Sequence, residues 1–398
     1  MHPFSESMGS VVRVKELAMS LGRFGVEVFI IDPYERSFDL SGNVHVVSVG
    51  RNFLRSAGLS RQFYDFSKHL YYSRVFPHLY SKFWSKMSSF LPGLVKEVSE
   101  FAIREKVDII QVEQDAAVPI GLQLREATGV PVIADIHNIS SEELVATGAL
   151  EKGSSVFFEM QNAIAAGFSQ LDHIVVVSEQ MRDYVVANYS ISCDGVSVVP
   201  PGGRPIVDES VLKKREEPFK VVYAGLVSSR ENTELFVRSI PFVEKRASSV
   251  QFFITEKGEA IGKIKKLAKN LGVKPNFFWY DDYDRVNGFL SSCHMGILCS
   301  SDDLARQMGT PVKLFTYLSA GLPIVANDVG GWLRIVKEER VGLLTDNTPE
   351  AFASTINQLL GDDDLRIKFS RNALRAVAEK YSWDRSRESL VKVYENFA

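Results

Sequence analysis

At 398 residues the chain is longer than one hydrophobic core normally fills, so two domains are expected. A net charge of −3 argues against a nucleic-acid partner, and the three cysteines, Cys193, Cys293 and Cys299, have no metal-ligand spacing and suggest a reducing, cytoplasmic setting. No apolar run approaches the roughly 20 residues of a membrane span, and no secretory leader is visible.

Gly9-Ser10 leads into a helix with Val14, Leu17, Ala18 and Leu21 at helical spacing, ended by Gly22 and Gly25. Val26 to Ile31, apolar but for Glu27, reads as a strand of the kind found in parallel sheets covered on both faces. Val44 to Val49 reads as the next strand. A doubly wound sheet normally opens with a strand ahead of its glycine loop. Here the expectation is that the numbered chain starts late, the alternative being that His2 to Phe4 is that strand's stub.

Arg51 to Phe90 is basic and aromatic, with Asp65 its only acid. Two readings stay open: helices packed onto the sheet with solvated charges, or an amphipathic surface on an anionic membrane. After a helix near Leu91 to Glu105 the strand–helix alternation resumes. Asp108 to Val112 and Val132 to Ile136 are strands around a helix at Ala117 to Ala127. The second strand runs into His137-Asn138, where ligands bind in open parallel sheets, beyond the strands' carboxyl ends. Phe157 to Gln170 is helical, His173 to Val177 a strand, and Ser178 caps a helix over Glu179 to Asn188. Val196 to Val199 closes this domain, assigned to residues 1–203.

Residues 204–218 turn polar and charged, as a linker does. Strands then recur at Phe219 to Gly225, Val250 to Ile254, Asn276 to Tyr280, His294 to Cys299, Leu322 to Ala326 and Val341 to Leu344, alternating with helical patterns over 219–380. An acidic loop, Ser300 to Gln307, precedes a short helix over Val312 to Ala320. Thr310 as N-cap and Pro311 as first helical residue suit its start. Two readings stay open for this start: an ordinary capped helix of an α/β domain, or, through its free N–H groups, its positive dipole end and Lys313, an anion site suited to phosphate. Helices at Asn347 to Leu360 and Asp364 to Lys380 precede a final amphipathic one from Trp383. The fold class is α/β, two facing doubly wound, Rossmann-like domains.

The ordered set of motifs resembles the family-4 retaining glycosyltransferases of GT-B fold over nearly the whole chain. It comprises the glycine turn at Gly9-Ser10, Pro131 to His137, Leu171 to Ser178, Val198 to Gly202, the second-domain opening Tyr223 to Asn232, KLFTYLSAGLPIVANDVGG at Lys313 to Gly331, and Ser382-Trp383. The resemblance implies transfer of a sugar from a nucleotide-diphosphate sugar, with retention and without a metal ion or cofactor, to a lipid-linked or polysaccharide acceptor at the inner membrane face, in cell envelope polysaccharide synthesis. It places Gly9, Gly225, Arg230, Tyr280, Asp281, Thr310, Pro311, Val312, Lys313, Leu314 and Thr316 at the donor. His137 falls as the catalytic residue at the transferred sugar or the acceptor, and Ser10 and Asn138 on the acceptor side. The C-terminal helix, 381–398, is expected to return to the first domain. The chain departs from the family pattern in three places. Thr316 stands where a ribose-gripping glutamate is usual, Glu231 where a basic residue is usual, and Arg334 where an acid is usual. These departures motivate a second reading, a non-catalytic GT-B relative that binds a sugar nucleotide or partner. A GT-B sugar-nucleotide epimerase is a third.

Overall fold

The computed structural model describes residues 9–31, 38–48, 92–207, 218–247, 249–280 and 283–398. Arg51 to Phe90, Asp281 and most of the 204–218 segment lie outside the described residues. Internal contacts divide the chain into two compact units, one holding Val14–Pro200 with Arg387–Ala398, the other Pro201–Ser386 together with residues 9–13.

The first unit carries two sheets. One has the order β1-β3-β2, with β1 at Val28–Ile31, β2 at Phe38–Ser41 and β3 at Val44–Val47. β1 and β3 are parallel, while β2 folds back antiparallel on β3 through Gly42, whose φ of 39° suits a tight turn. β2 was not expected from sequence, because FDLS is short and half polar. The second sheet is all parallel, in the order β4-β5-β6-β7, with β4 at Ile110–Glu113, β5 at Val132–Ile136, β6 at His173–Val176 and β7 at Val196–Val198. Among the described residues no strand joins the two sheets. β5 and β6 are buried at every position, as a covered parallel sheet requires. Ser178 caps the helix Glu179–Tyr189, accepting from the Met181 N–H at 3.0 Å. The last helix, Trp383–Tyr394, contributes Tyr394, whose hydroxyl donates to Gln111 Oε1 on β4 at 2.7 Å.

The second unit is built on one parallel sheet, β10-β9-β8-β11-β12-β13. Its strands are β8 at Phe219–Tyr223, β9 at Val250–Thr255, β10 at Asn276–Phe278, β11 at Met295–Leu298, β12 at Ile324–Asn327 and β13 at Gly342–Thr345. The strand order reverses between β8 and β11, and ligands in open α/β sheets bind at such a switch point. One apolar face packs Phe236, Ile240 and Val243 of the helix Thr233–Glu244, with Phe352 and Ile356 of the helix Pro349–Gly361. The opposite face packs Leu314, Phe315, Tyr317 and Leu318 of the helix Val312–Ser319, all fully buried. Each such side chain contributes about 1.5–3 kcal/mol, which makes this short helix a fixed part of the core. Tyr317 crosses β11 where Gly296 leaves room, since a Cβ there would fall 2.6 Å from its ring. Its hydroxyl accepts from the Ala224 N–H at 2.7 Å and reaches the Ile297 carbonyl at 3.2 Å, so one side chain fastens the ends of β8 and β11.

Candidate active site

In the first unit, the residues that follow β4 and β5 build the surroundings of His137. Glu113 and Asp135 are register partners across β4 and β5. Their side chains share a face, and His137, two residues beyond Asp135, extends along it. His137 Nε2 lies 3.0 Å from Glu113 Oε2 and 3.5 Å from Asp135 Oδ2, while both ring nitrogens lack an aligned hydrogen-bond partner, so the contact is ionic. Asp135 is 1% exposed and His137 9%. Burial alone would discharge the imidazole, but Asp135 and then Glu113 outweigh it and lift its pKa to about 9. The three side chains offer ligand atoms within 4.8 Å of one another, a spacing a divalent cation accepts. Metal binding and protonation exclude each other, because a charged imidazole has no lone pair to give.

The loop carrying His137 is held from below. Gln114 Oε1 accepts from the N–H groups of His137 and Asn138, each at 3.3 Å. Asp115 accepts from the Ser140 N–H at 2.8 Å and from its hydroxyl, anchoring the first turn of the helix Ser140–Ala146. Burial pushes the Asp115 carboxyl up to about 6, with the Ser140 bonds offsetting part of the cost. Gln114 has φ 74° and ψ 156°, a backbone region that favours glycine. The sequence reading found His137 and Asn138 but missed Glu113, Gln114, Asp115 and Asp135. The visible signal was the aspartate inside VIADI, a charge in a strand otherwise wholly apolar.

In the second unit the switch point gathers a charged cluster. Lys313 Nζ reaches the Tyr223 hydroxyl at 3.1 Å, lies over that ring at 4.7 Å from its centroid, and pairs with Glu231 Oε2. Glu231 Oε1 accepts from Arg306 NH1 at 3.2 Å. Burial would raise the Glu231 carboxyl, but Lys313, Arg306 and Arg230 outweigh it and hold it below its ordinary range, so it is an anion. The lysine passes close over Gly225, where an added Cβ would sit 3.0 Å from both Lys313 Cε and Nζ and the flexible side chain would have to shift. The Arg230 carbonyl accepts from the Ser301 N–H at 3.0 Å and hydroxyl at 2.7 Å, joining the turn after β8 to the loop after β11. Asn327 bonds Ser300 at both its N–H and its carbonyl, at 2.9 and 2.8 Å.

Several expectations for this block are corrected. The helix starts at Val312 with Pro311 as its cap residue and no side-chain cap, so Thr310 is not the N-cap. Pro311 has ψ 127°, extended rather than helical, which places the cap one residue later than expected. The Leu314 N–H already bonds the Pro311 carbonyl at 3.0 Å and does not face a ligand. Residues expected as an acidic loop include the helix Leu304–Met308, capped by Asp303, which accepts from the Arg306 N–H at 2.9 Å. Buried Thr316 donates its hydroxyl to the Val312 carbonyl at 3.2 Å, directing it along its own helix. Tyr280 joins an aromatic group, 5.8 Å from Phe278 and 5.9 Å from Phe289, with the Arg285 guanidinium 5.1 Å above its ring. Gly9 and Ser10 open the helix Gly9–Arg23, and Gly9 lies by Val312, where an added Cβ would be 3.7 Å from Cγ2. Arg334 is on the surface, 3.8 Å from Glu338.

Rossmann-like parallel sheets, one with a cation cluster at its switch point and another ending in a buried imidazole, define an α/β transferase of GT-B fold. The chain belongs to the family-4-like glycosyltransferases: the Glycosyltransferase Family 4 model matches residues 8–203 and the Glycosyl transferases group 1 model matches residues 207–376. The D-inositol 3-phosphate glycosyltransferase of Paenarthrobacter aurescens is 22% identical over 339 residues, 78% of each chain. Among solved structures, the sucrose-phosphate synthase of Thermosynechococcus elongatus superposes with a TM-score of 0.71 at 16% identity, over 98% of this chain and 93% of that one. HepE of Anabaena, solved in complex with UDP, superposes with a TM-score of 0.61 at 14% identity, over 76% of this chain and 82% of that one.

Proposed function

We propose that this glycosyltransferase takes its sugar from a nucleoside-diphosphate donor and passes it, with retention and without a metal ion, to a lipid-linked or saccharide acceptor at the cytoplasmic membrane face. The observation that carries the donor reading is Lys313. Its ammonium is held at the β8–β11 switch point, crosses Gly225, and belongs to a cluster in which basic groups outnumber the single carboxylate. A nucleoside diphosphate is the anion that such a place in an α/β sheet suits. That HepE was solved with UDP supports the same donor class.

In the step proposed, the acceptor hydroxyl attacks the anomeric carbon on the face from which the diphosphate leaves. The bond from that carbon to the phosphate oxygen breaks as the new glycosidic bond forms, and the departing phosphate oxygen takes the acceptor's proton. Lys313 offsets the charge that grows on the diphosphate. His137, held as a cation, donates a hydrogen bond to a hydroxyl of the transferred sugar or of the acceptor.

A panel of UDP-, GDP- and ADP-sugars tests this reading by thermal stabilisation, since a ligand that binds only the native state raises Tm. One donor class is expected to stabilise the protein and to be hydrolysed slowly without acceptor. Lys313→Met should weaken nucleoside-diphosphate affinity by about tenfold or more, the loss expected for a hydrogen bond to a charged group. Equal affinity in the variant would refute the assignment, and NMR of the product's anomeric proton checks retention.

A further inference from the structure

The sequence places a glutamate where the resemblance leads one to expect a base, and the structure shows what that glutamate does. Its two oxygens serve two different cations: Oε1 takes Arg306 NH1 at 3.2 Å and Oε2 takes Lys313 Nζ. The Tyr223 hydroxyl, 3.3 Å from Oε2 and 3.1 Å from Lys313 Nζ, closes the group. The side chains of Glu231, Lys313 and Arg306 are 12%, 14% and 16% exposed, so the cluster is mostly, but not wholly, withdrawn from water. Two cations on one anion leave a net positive charge. The buried Nε of Arg306 also lacks a hydrogen-bond partner. That nitrogen is sealed from solvent, so what the cluster offers a ligand is a planar guanidinium beside an ammonium, a pairing that matches the oxygens of a phosphate. Arg306 itself is fixed by its helix, whose cap Asp303 is tied to Ser301 by a bond of 2.5 Å and so to the carbonyl of Arg230.

We infer that Arg306 binds the donor's diphosphate together with Lys313, and that Glu231 is a positioning residue that holds the two cations at one spacing. This inference rests on the donor reading above. It assigns the arginine of the helix Leu304–Met308 that follows β11, not one from the turn after β8, as the second phosphate contact. Glu231 then replaces a ligand-contacting cation with an internal anion that organises two cations contributed by other elements. Nearby cations would otherwise repel each other, and a shared carboxylate removes that cost before ligand arrives.

The two accounts of Glu231 differ in sign. A carboxylate that merely opposed the ligand's charge would, on removal, let the site bind anions more tightly. A positioning carboxylate would, on removal, let the cations separate, and binding would weaken although the site had become more positive. The experiment is calorimetric titration of the full chain with UDP, GDP and ADP, and with the matching nucleosides as controls, for wild type, Arg306→Gln, Arg306→Lys and Glu231→Gln. Arg306→Gln is expected to lose about tenfold to a hundredfold in diphosphate affinity with nucleoside affinity unchanged. Arg306→Lys keeps the charge and loses the planar fork, so an intermediate loss is expected, and it serves as the test if the glutamine variant does not fold. Glu231→Gln is expected to weaken diphosphate binding and to raise the donor KM more than it lowers kcat. Undiminished binding in both Arg306 variants overturns its contact with phosphate. Tighter binding by Glu231→Gln overturns the positioning role. If wild type binds no nucleoside diphosphate, the donor reading fails and the inference falls with it; wild-type binding with unaffected variants refutes the inference alone.

Discussion

The Glu113–Asp135–His137 group gives a sharp test through Asp135→Asn. Lifting an imidazole from its ordinary 6.5 to about 9 is worth about 3 kcal/mol of folded stability at neutral pH, at roughly 1.4 kcal/mol per tenfold in proton affinity. The sign is that of a base whose charged form is favoured by folding. The contribution is complete below pH 6.5 and is lost as pH rises through about 9. Burial works against the charge, and Asp135 is the strongest influence opposing burial. With asparagine in its place, burial should prevail and the imidazole should titrate below its value in wild type, near or under 6.5. Two measurements check this. The imidazole Cε1 proton of His137 is one of seven in the chain, assigned by its loss in His137→Gln, and its titration gives the pKa. Urea denaturation of wild type and Asp135→Asn at pH 7 and pH 10 gives the stability difference, from which groups common to both chains cancel. That difference should shrink between pH 7 and pH 10 by an amount on the order of 3 kcal/mol. A difference independent of pH, or a wild-type His137 titrating near 6.5, would refute the reasoning.

Three further outcomes are expected. Tyr317→Phe leaves the Ala224 N–H and the Ile297 carbonyl without their buried hydroxyl partner, and should cost about 1–3 kcal/mol, read as a lowered urea midpoint. Gly296→Ala forces a Cβ against the Tyr317 ring inside the core, so expression of folded protein should fall and Tm drop, with a cost of about 1–3 kcal/mol for overpacking. If His137 acts as a cation, chelation by EDTA should leave turnover unchanged and added divalent metal should not raise Tm near pH 7; metal-dependent stabilisation would assign the three side chains to a metal ion instead.

Much of this architecture could be read from strand patterning. Val132 to Ile136, apolar but for Asp135, and Ile174 to Val177 carry the apolar runs of buried strands, and the structure buries both as central parallel strands. Position 137 was legible because a strand's carboxyl end is a topological fact that survives without coordinates. Its partners were not, because Glu113 belongs to another strand and its meeting with Asp135 depends on register, which neither run specifies alone. The helix start at Val312 was read correctly, but its cap was assigned one residue early, to Thr310, for a local reason. Proline at the first helical position and proline as cap look alike in sequence, and only ψ separates them. The partnership of Lys313 was hidden for a different reason again. Glu231 and Arg306 come from the segments that follow two strands adjacent in space but 74 positions apart in register, Val222 lying beside Gly296.

Gln114 has a consequence for how this protein could change. Its backbone occupies a region costing a non-glycine residue about 1–3 kcal/mol, while its amide oxygen receives both N–H groups that set the His137 loop. Glycine at this position would relax the backbone but discard the anchor for both N–H groups, two effects of similar size and opposite sign. Selection for turnover would retain glutamine and tolerate the strain. The residue at 114 thus ties the placement of the His137 loop to a strained backbone, so the loop's geometry and the chain's local strain cannot be changed independently at this position.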